Sequence, residues 1–226
     1  MTTPSHPDIL ARAETERPLA TVTASVPLAC PTRDVWVEAA LGDVNALLDD
    51  HAQCELKAAS NALAMVGRFP EHDDVVKRMA SLAKEEMLHY RLVRQKLLDR
   101  GGAPTRPVPN PYMKGMARDR LGGRHALLDD LLVCAMIEAR SCERFLALAR
   151  GLRARDADDT DDLAHFYERL ARSESGHAHL FVALAEAHFD PERVHEELQR
   201  RSTIEAATIE SLPVTPRMHG GHRRAE

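Results

Sequence analysis

Two stretches of the chain carry a glutamate followed three residues later by a histidine, Glu86 with His89 and Glu174 with His177. Residues three apart share a face of an α-helix, so each pair can offer a carboxylate oxygen and an imidazole nitrogen to one divalent ion. The spacing alone is weak, because a third pair, Glu192 with His195, follows Pro191 in what reads as the solvated first turn of an outer helix. Position within the apolar pattern separates them. Glu86 lies four residues after Leu82 and seven after Met79, and Glu174 four after Leu170, so both join an inward row. Glu55, four after His51 and seven after Leu48, and Glu138, four after Cys134 and seven after Leu131, do the same on two further helical stretches.

Four unpaired carboxylates in one helical core are untenable, since each buried ion carries a penalty of about several kcal/mol. The pattern shows no comparable set of inward lysines or arginines. Two divalent cations neutralise four glutamates and leave the imidazoles neutral, so the metal set read from the pattern is Glu55, Glu86, His89, Glu138, Glu174 and His177, acting catalytically through the metals. Glu143 competes with Glu138. Glu138 stands thirteen residues before Gly151 and Glu174 thirteen after Asp161, which puts the two at one height. Glu143 falls about 7.5 Å nearer the loop and reads as a supporting or surface residue. His51 and His179 are candidates to donate to a ligating carboxylate. Tyr90 and Tyr167 read as packing residues with a polar tip. The four cysteines form no CxxC pair and read as buried thiols of a reducing compartment.

Four helices must hold these residues. Residues 1–32, with prolines at 4, 7, 18, 27 and 31, read as an extended arm. One apolar stripe runs from Trp36 to Val66 and stops at Gly67 and Pro70; a second runs from Val75 to Leu97 and stops at Gly101-Gly102. Residues 103–123, rich in Pro and Gly, read as a crossover. A third stripe runs from Leu127 to Ala149. A fourth follows the acidic stretch 156–162, from Leu163 to Leu184. The expected architecture is all-α, a four-helix bundle of two antiparallel hairpins joined by the long crossover, with an extra C-terminal helix from about 191 to 211. It forms one helical domain, 33–211, and 212–226 reads as a flexible tail.

At 226 residues the chain has room for one core that needs no disulfide, and a 4% aromatic content with abundant Ala, Leu, Arg, Glu and Asp suits long helices. No apolar run approaches the roughly 18 residues of a membrane span and no leader is visible, so a soluble cytoplasmic protein is expected, monomeric or a small homo-oligomer. The net charge of -5 argues against wholesale coating of nucleic acid. Between Arg91 and Arg124, however, nine basic residues face only Asp99 and Asp119, and Arg106, Lys114, Arg118, Arg120 and Arg124 of the crossover form a candidate footprint for phosphates.

The segments DDHAQCELKAAS, LAKEEMLHY, LLVCAMIEARSCERF and SESGH resemble the bacterial tRNA hydroxylases that act on 2-methylthio-N6-isopentenyladenosine next to the anticodon, over about residues 33–190. The phrase IEARSCERF is the most specific of these. The resemblance implies a ferritin-like fold with two iron ions held by Glu55, Glu86, His89, Glu138, Glu174 and His177. It also implies insertion of one atom of O2 into the isopentenyl group, a tRNA substrate and an electron-transfer reductase. Gly176 departs from the good helix former expected between Glu174 and His177, at about 1 kcal/mol of helix stability. A ferritin-like iron oxidase or store and a di-manganese catalase use similar ligands and are the alternative readings.

Overall fold

The structure, a computed structural model, describes residues 26–155 and 160–223. Seven helices appear among them, α1 (Asp34–Gly42), α2 (Val44–Arg68), α3 (Asp73–Asp99), α4 (Pro111–Met116), α5 (Ala126–Arg153), α6 (Thr160–His188) and α7 (Pro191–Ser211). The long helices α2 and α3 pack as one antiparallel hairpin and α5 and α6 as the other, with α7 laid outside α5. This is the ferritin-like bundle with a crossover and an extra helix. No helix of the described residues is long and apolar enough to cross a membrane.

The stripe expected to be one helix from Trp36 is two. Gly42, a poor helix former, ends α1, and the extended Asp43 (φ -142°, ψ 79°) accepts from Ala46 N to cap α2. The crossover holds the short α4, started by Asn110 and Pro111. It docks closely on α7: a Cβ on Gly115 would stand 2.3 Å from Thr208 Cγ2, so only glycine fits there.

Apolar side chains fall into two clusters along the bundle. One gathers Met65, Met79, Leu82, Leu131 and Phe181; the other gathers Leu48, Val93, Phe145, Phe166 and Leu170. On every long helix the inward glutamate lies in sequence between residues of the first cluster and residues of the second. A polar layer therefore divides the core.

Three arginines are also buried, contrary to the expectation that the interior lacks cations: Arg140, Arg144 and Arg201 are at most 1% exposed. They face away from the four glutamates. Arg140 pairs with Glu205 at 2.7 Å and with Glu143, and donates to Cys30 O at 2.8 Å. Arg144 donates to Met218 O and Gly220 O and lies 4.3 Å over the Trp36 ring. Arg201 pairs with Asp129 at 2.5 Å and reaches Met116 O and Arg118 O.

The tail is a further correction. Residues 212–223, read as flexible from their composition, fold back on the bundle. Met218, His219 and His222 are buried, because the carbonyls of this segment satisfy Arg144 and Trp36 Nε1, the latter at 3.0 Å from Arg217 O. The arm's residues 1–25, residues 156–159 of the acidic stretch and residues 224–226 of the expected tail lie outside the described residues.

Candidate metal centre

The four inward glutamates and both histidines meet in the polar layer. Oxygens and nitrogens of Glu55, Glu86, His89 and Glu174 lie within 4.8 Å of one another, and so do those of Glu138, Glu174 and His177; Glu174 belongs to both groups. All six side chains are buried. His89 Nδ1 lies 3.3 Å from Glu174 Oε1, 3.4 Å from Glu86 Oε2 and 3.7 Å from Glu55 Oε2. His177 Nδ1 lies 3.0 Å from Glu86 Oε1 and 3.0 Å from Glu174 Oε2. Glu86 and Glu174, one from each Glu-x-x-His pair, thus stand between the two imidazoles.

Two divalent ions fit this set. Both oxygens of Glu86, Nδ1 of His89 and Oε1 of Glu174 are buried without a hydrogen bond among the described residues, which is costly unless a cation takes them up. Burial and the charge of Glu174 push the Glu86 carboxyl up to about 7, and the same causes raise Glu138 well above the carboxylate range. Burial works against Glu55 too, but the imidazoles of His51 and His89 hold it at about 2. His89, despite burial, is pushed up to about 12 by the carboxylates around it. Protons on Glu86, Glu138 and the imidazoles thus hold the charge balance that two divalent cations supply when bound.

The outer nitrogens are fixed as well. His177 Nε2 lies 3.1 Å from Glu85 Oε2, and Ser173 Oγ lies 3.3 Å from His89 Nε2, so each ring is oriented with Nδ1 toward the centre. His51, a candidate partner from sequence, stands 2.6 Å from Glu55 Oε1 and stacks on Tyr167 with centroids 5.7 Å apart. His179 is exposed, as are Glu192 and His195. Glu143 is absent from the cluster: it accepts from Thr32 N and Oγ1, both at 2.7 Å. Tyr90 and Tyr167 pack with the second apolar cluster.

A cavity of about 280 Å³ opens between α2 and α5, and Glu138 forms part of its wall. Its lining is mostly apolar, with Ala58, Ala62, Leu82, Ile137 and Phe181, while Lys57, Asn61 and Asn110 add polar atoms. Met113 of α4 and His219 of the tail complete the wall. His219 stacks on Tyr112 with centroids 4.5 Å apart, and burial pushes its pKa well below the usual histidine value, so the ring is neutral. Sequence reasoning missed Glu85, Ser173 and His219. Glu85 had one signal, its place beside Glu86; His219 had none, lying in a Gly/Arg/His-rich segment.

The basic crossover residues Arg106, Lys114, Arg118, Arg120 and Arg124 are all exposed. They differ in what they are free to do. Arg120 is paired with Asp130 and Arg124 Nε lies 3.1 Å from His125 Nε2, whereas Lys114 follows Met113 at the cavity wall.

A model of the family described as tRNA-(MS[2]IO[6]A)-hydroxylase (MiaE) matches residues 20–220. The tRNA 2-(methylsulfanyl)-N(6)-isopentenyladenosine(37) hydroxylase of Pseudomonas putida is 39% identical over 196 residues, covering 86% of this chain and 92% of that protein. The enzyme of the same name from Salmonella typhimurium is 31% identical over 244 residues, covering 86% and 87%. Among solved structures, a Synechococcus protein with aldehyde deformylating oxygenase activity superposes with a TM-score of 0.77 at 34% identity, over 86% of this chain and 96% of its own.

Proposed function

The chain belongs to the MiaE family of tRNA hydroxylases, and we propose that it hydroxylates the isopentenyl side chain of 2-methylthio-N6-isopentenyladenosine next to the anticodon with two iron ions and O2. Glu55, Glu86, His89, Glu138, Glu174 and His177 hold the ions. The observation that carries this reading is the double position of Glu138, which is at once part of the metal cluster and part of the wall of an apolar cavity.

Two ferrous ions held by this carboxylate and imidazole set would supply O2 activation, with one oxygen atom going to carbon and the other leaving as water at the expense of two electrons from an external donor and two protons. The chain's residues do the rest. Glu85 and Ser173 orient the imidazoles, and His51 holds one oxygen of Glu55. The apolar clusters above and below the polar layer exclude water from it. The cavity takes the five-carbon tail, with Leu82, Ile137 and Phe181 against the alkyl group, and aims it at Glu138. The adenine must leave the anticodon stack to bring its tail so far in. Lys57, Asn61 and Asn110 are the polar groups at hand for the base, and Lys114 with Arg106 and Arg118 for backbone phosphates.

The test is nucleoside mass spectrometry of tRNA from a host that makes the isopentenyl modification and lacks its hydroxylase. Expression of the chain should add one oxygen to the modified nucleoside, and Glu86→Ala should add none. A long-chain aldehyde serves as control substrate, given the Synechococcus neighbour. Aldehyde turnover without tRNA hydroxylation would overturn the reading.

A further inference from the structure

The outer face shared by α3 and α6 lies across the bundle from the cavity, and both histidines of the centre turn their second nitrogen toward it. Glu85, which holds His177 Nε2, has a side chain 46% exposed, and Ser173, which holds His89 Nε2, is half-buried. A single hydrogen bond separates each imidazole from a residue of this surface. Ion pairs Lys96–Asp162 and His188–Asp74 close the groove between the two helices at its ends.

Between those ends the surface is unusual. Glu85, Leu88 and Leu92 follow one another at helical spacing on α3, as do Arg169, Ser173 and Gly176 on α6. Leu88 and Leu92 are 47% and 41% exposed. Lys84, Arg91 and Arg172, exposed beside them, form no hydrogen bond or ion pair among the described residues. Gly176 is exposed too, and a Cβ there would meet nothing within 4 Å. Nothing inside the fold requires a glycine at this point, although it weakens the helix. Apolar side chains, unpaired cations and bare backbone are thus gathered around the outer contacts of the two imidazoles, where a partner can approach closely.

We propose that the α3–α6 face docks an acidic iron–sulfur electron carrier, which delivers electrons by way of the Glu85–His177 and Ser173–His89 contacts. This rests on the di-iron reading of the centre. In the step two reduced carriers each give up one electron and two ferric ions each gain one, becoming ferrous; no bond to carbon or oxygen forms or breaks. The excess of Lys84, Arg91, Arg169 and Arg172 over Glu85 selects an acidic partner, and a small charged patch with an apolar centre suits a transient encounter. The tRNA, by contrast, has to reach the cavity on the other side.

Iron-loaded protein, kept anaerobic, is mixed with an acidic [2Fe–2S] ferredoxin held reduced by its reductase and NADPH, and the ferric absorbance is followed by stopped flow. The Lys84→Glu, Arg172→Glu double variant should be reduced about tenfold more slowly at low salt, with the difference shrinking as ionic strength rises. Dithionite, which needs no docking, should reduce both proteins at one rate. Equal ferredoxin rates would overturn the proposal, as would a centre that dithionite reduces and ferredoxin does not. Loss of tRNA binding by the double variant, with an unchanged ferredoxin rate, would assign the face to RNA and overturn it too. Failure to bind iron, or iron that dithionite cannot reduce, would remove the di-iron reading along with it.

Discussion

Glu85 shows how one residue serves the site without belonging to the cluster: its carboxylate holds the outer nitrogen of His177 and its stem stays half in water. Glu85→Ala should weaken metal retention about 10- to 100-fold, measured by competition with a chelator, while leaving the helix content unchanged. Retention equal to wild type would mean that His177 needs no outer partner. Arg140 is the counterpart in the fold. It and Glu205 are both wholly buried, so Arg140→Ala strands a charge and should cost about 3–5 kcal/mol in urea unfolding, much of it recovered by Arg140→Met with Glu205→Leu. The six proposed ligands were legible because a carboxylate in an apolar row is conspicuous at helical spacing. The arginines were not, because apart from Glu143 their partners are Glu205, Asp129 and backbone carbonyls, all on distant segments, which leave no mark in a residue pattern.

At the scale of elements, α5 explains why IEARSCERF is so specific a phrase. Glu138 turns into the polar layer, Arg140 and Glu143 turn toward Thr32 and α7, Arg144 turns toward the tail, and Phe145 packs beside His51 at 4.8 Å. One helix thereby serves the centre on one side and clasps three distant segments on the other. Two glycines test the packing from opposite directions. Gly176→Ala fills open space on a helix and should add about 0.5–1 kcal/mol, raising Tm by a few degrees in a thermal melt. Gly115→Ala pushes α4 off Thr208 and should remove about 1–3 kcal/mol. The helices themselves could be placed from period and breakers. Two features escaped: the break at Gly42–Asp43, where the stripe continues across a capped junction, and the short α4, too brief to show a period within the crossover.

For the whole molecule, the polar layer between two apolar clusters makes metal content a stability variable. Removing the metal with a chelator should lower Tm, and ions at about 100 times their dissociation constant should add about 2.7 kcal/mol. A Tm indifferent to chelation would argue that protons serve the cluster as well as cations do. The bundle and its crossover could be read from the chain because they rest on local periodicity. The packed tail could not, since its burial depends on contacts such as that between Arg144 and Gly220, 76 residues apart. Those contacts set an order of events. While the chain is being synthesised, α2, α3, α5 and α6 all emerge before residues 213–222, so the tail is the last part able to cover Arg144. His219 arrives with it to finish the cavity wall. The bundle can gather its metal-binding residues before the pocket for its substrate has been completed.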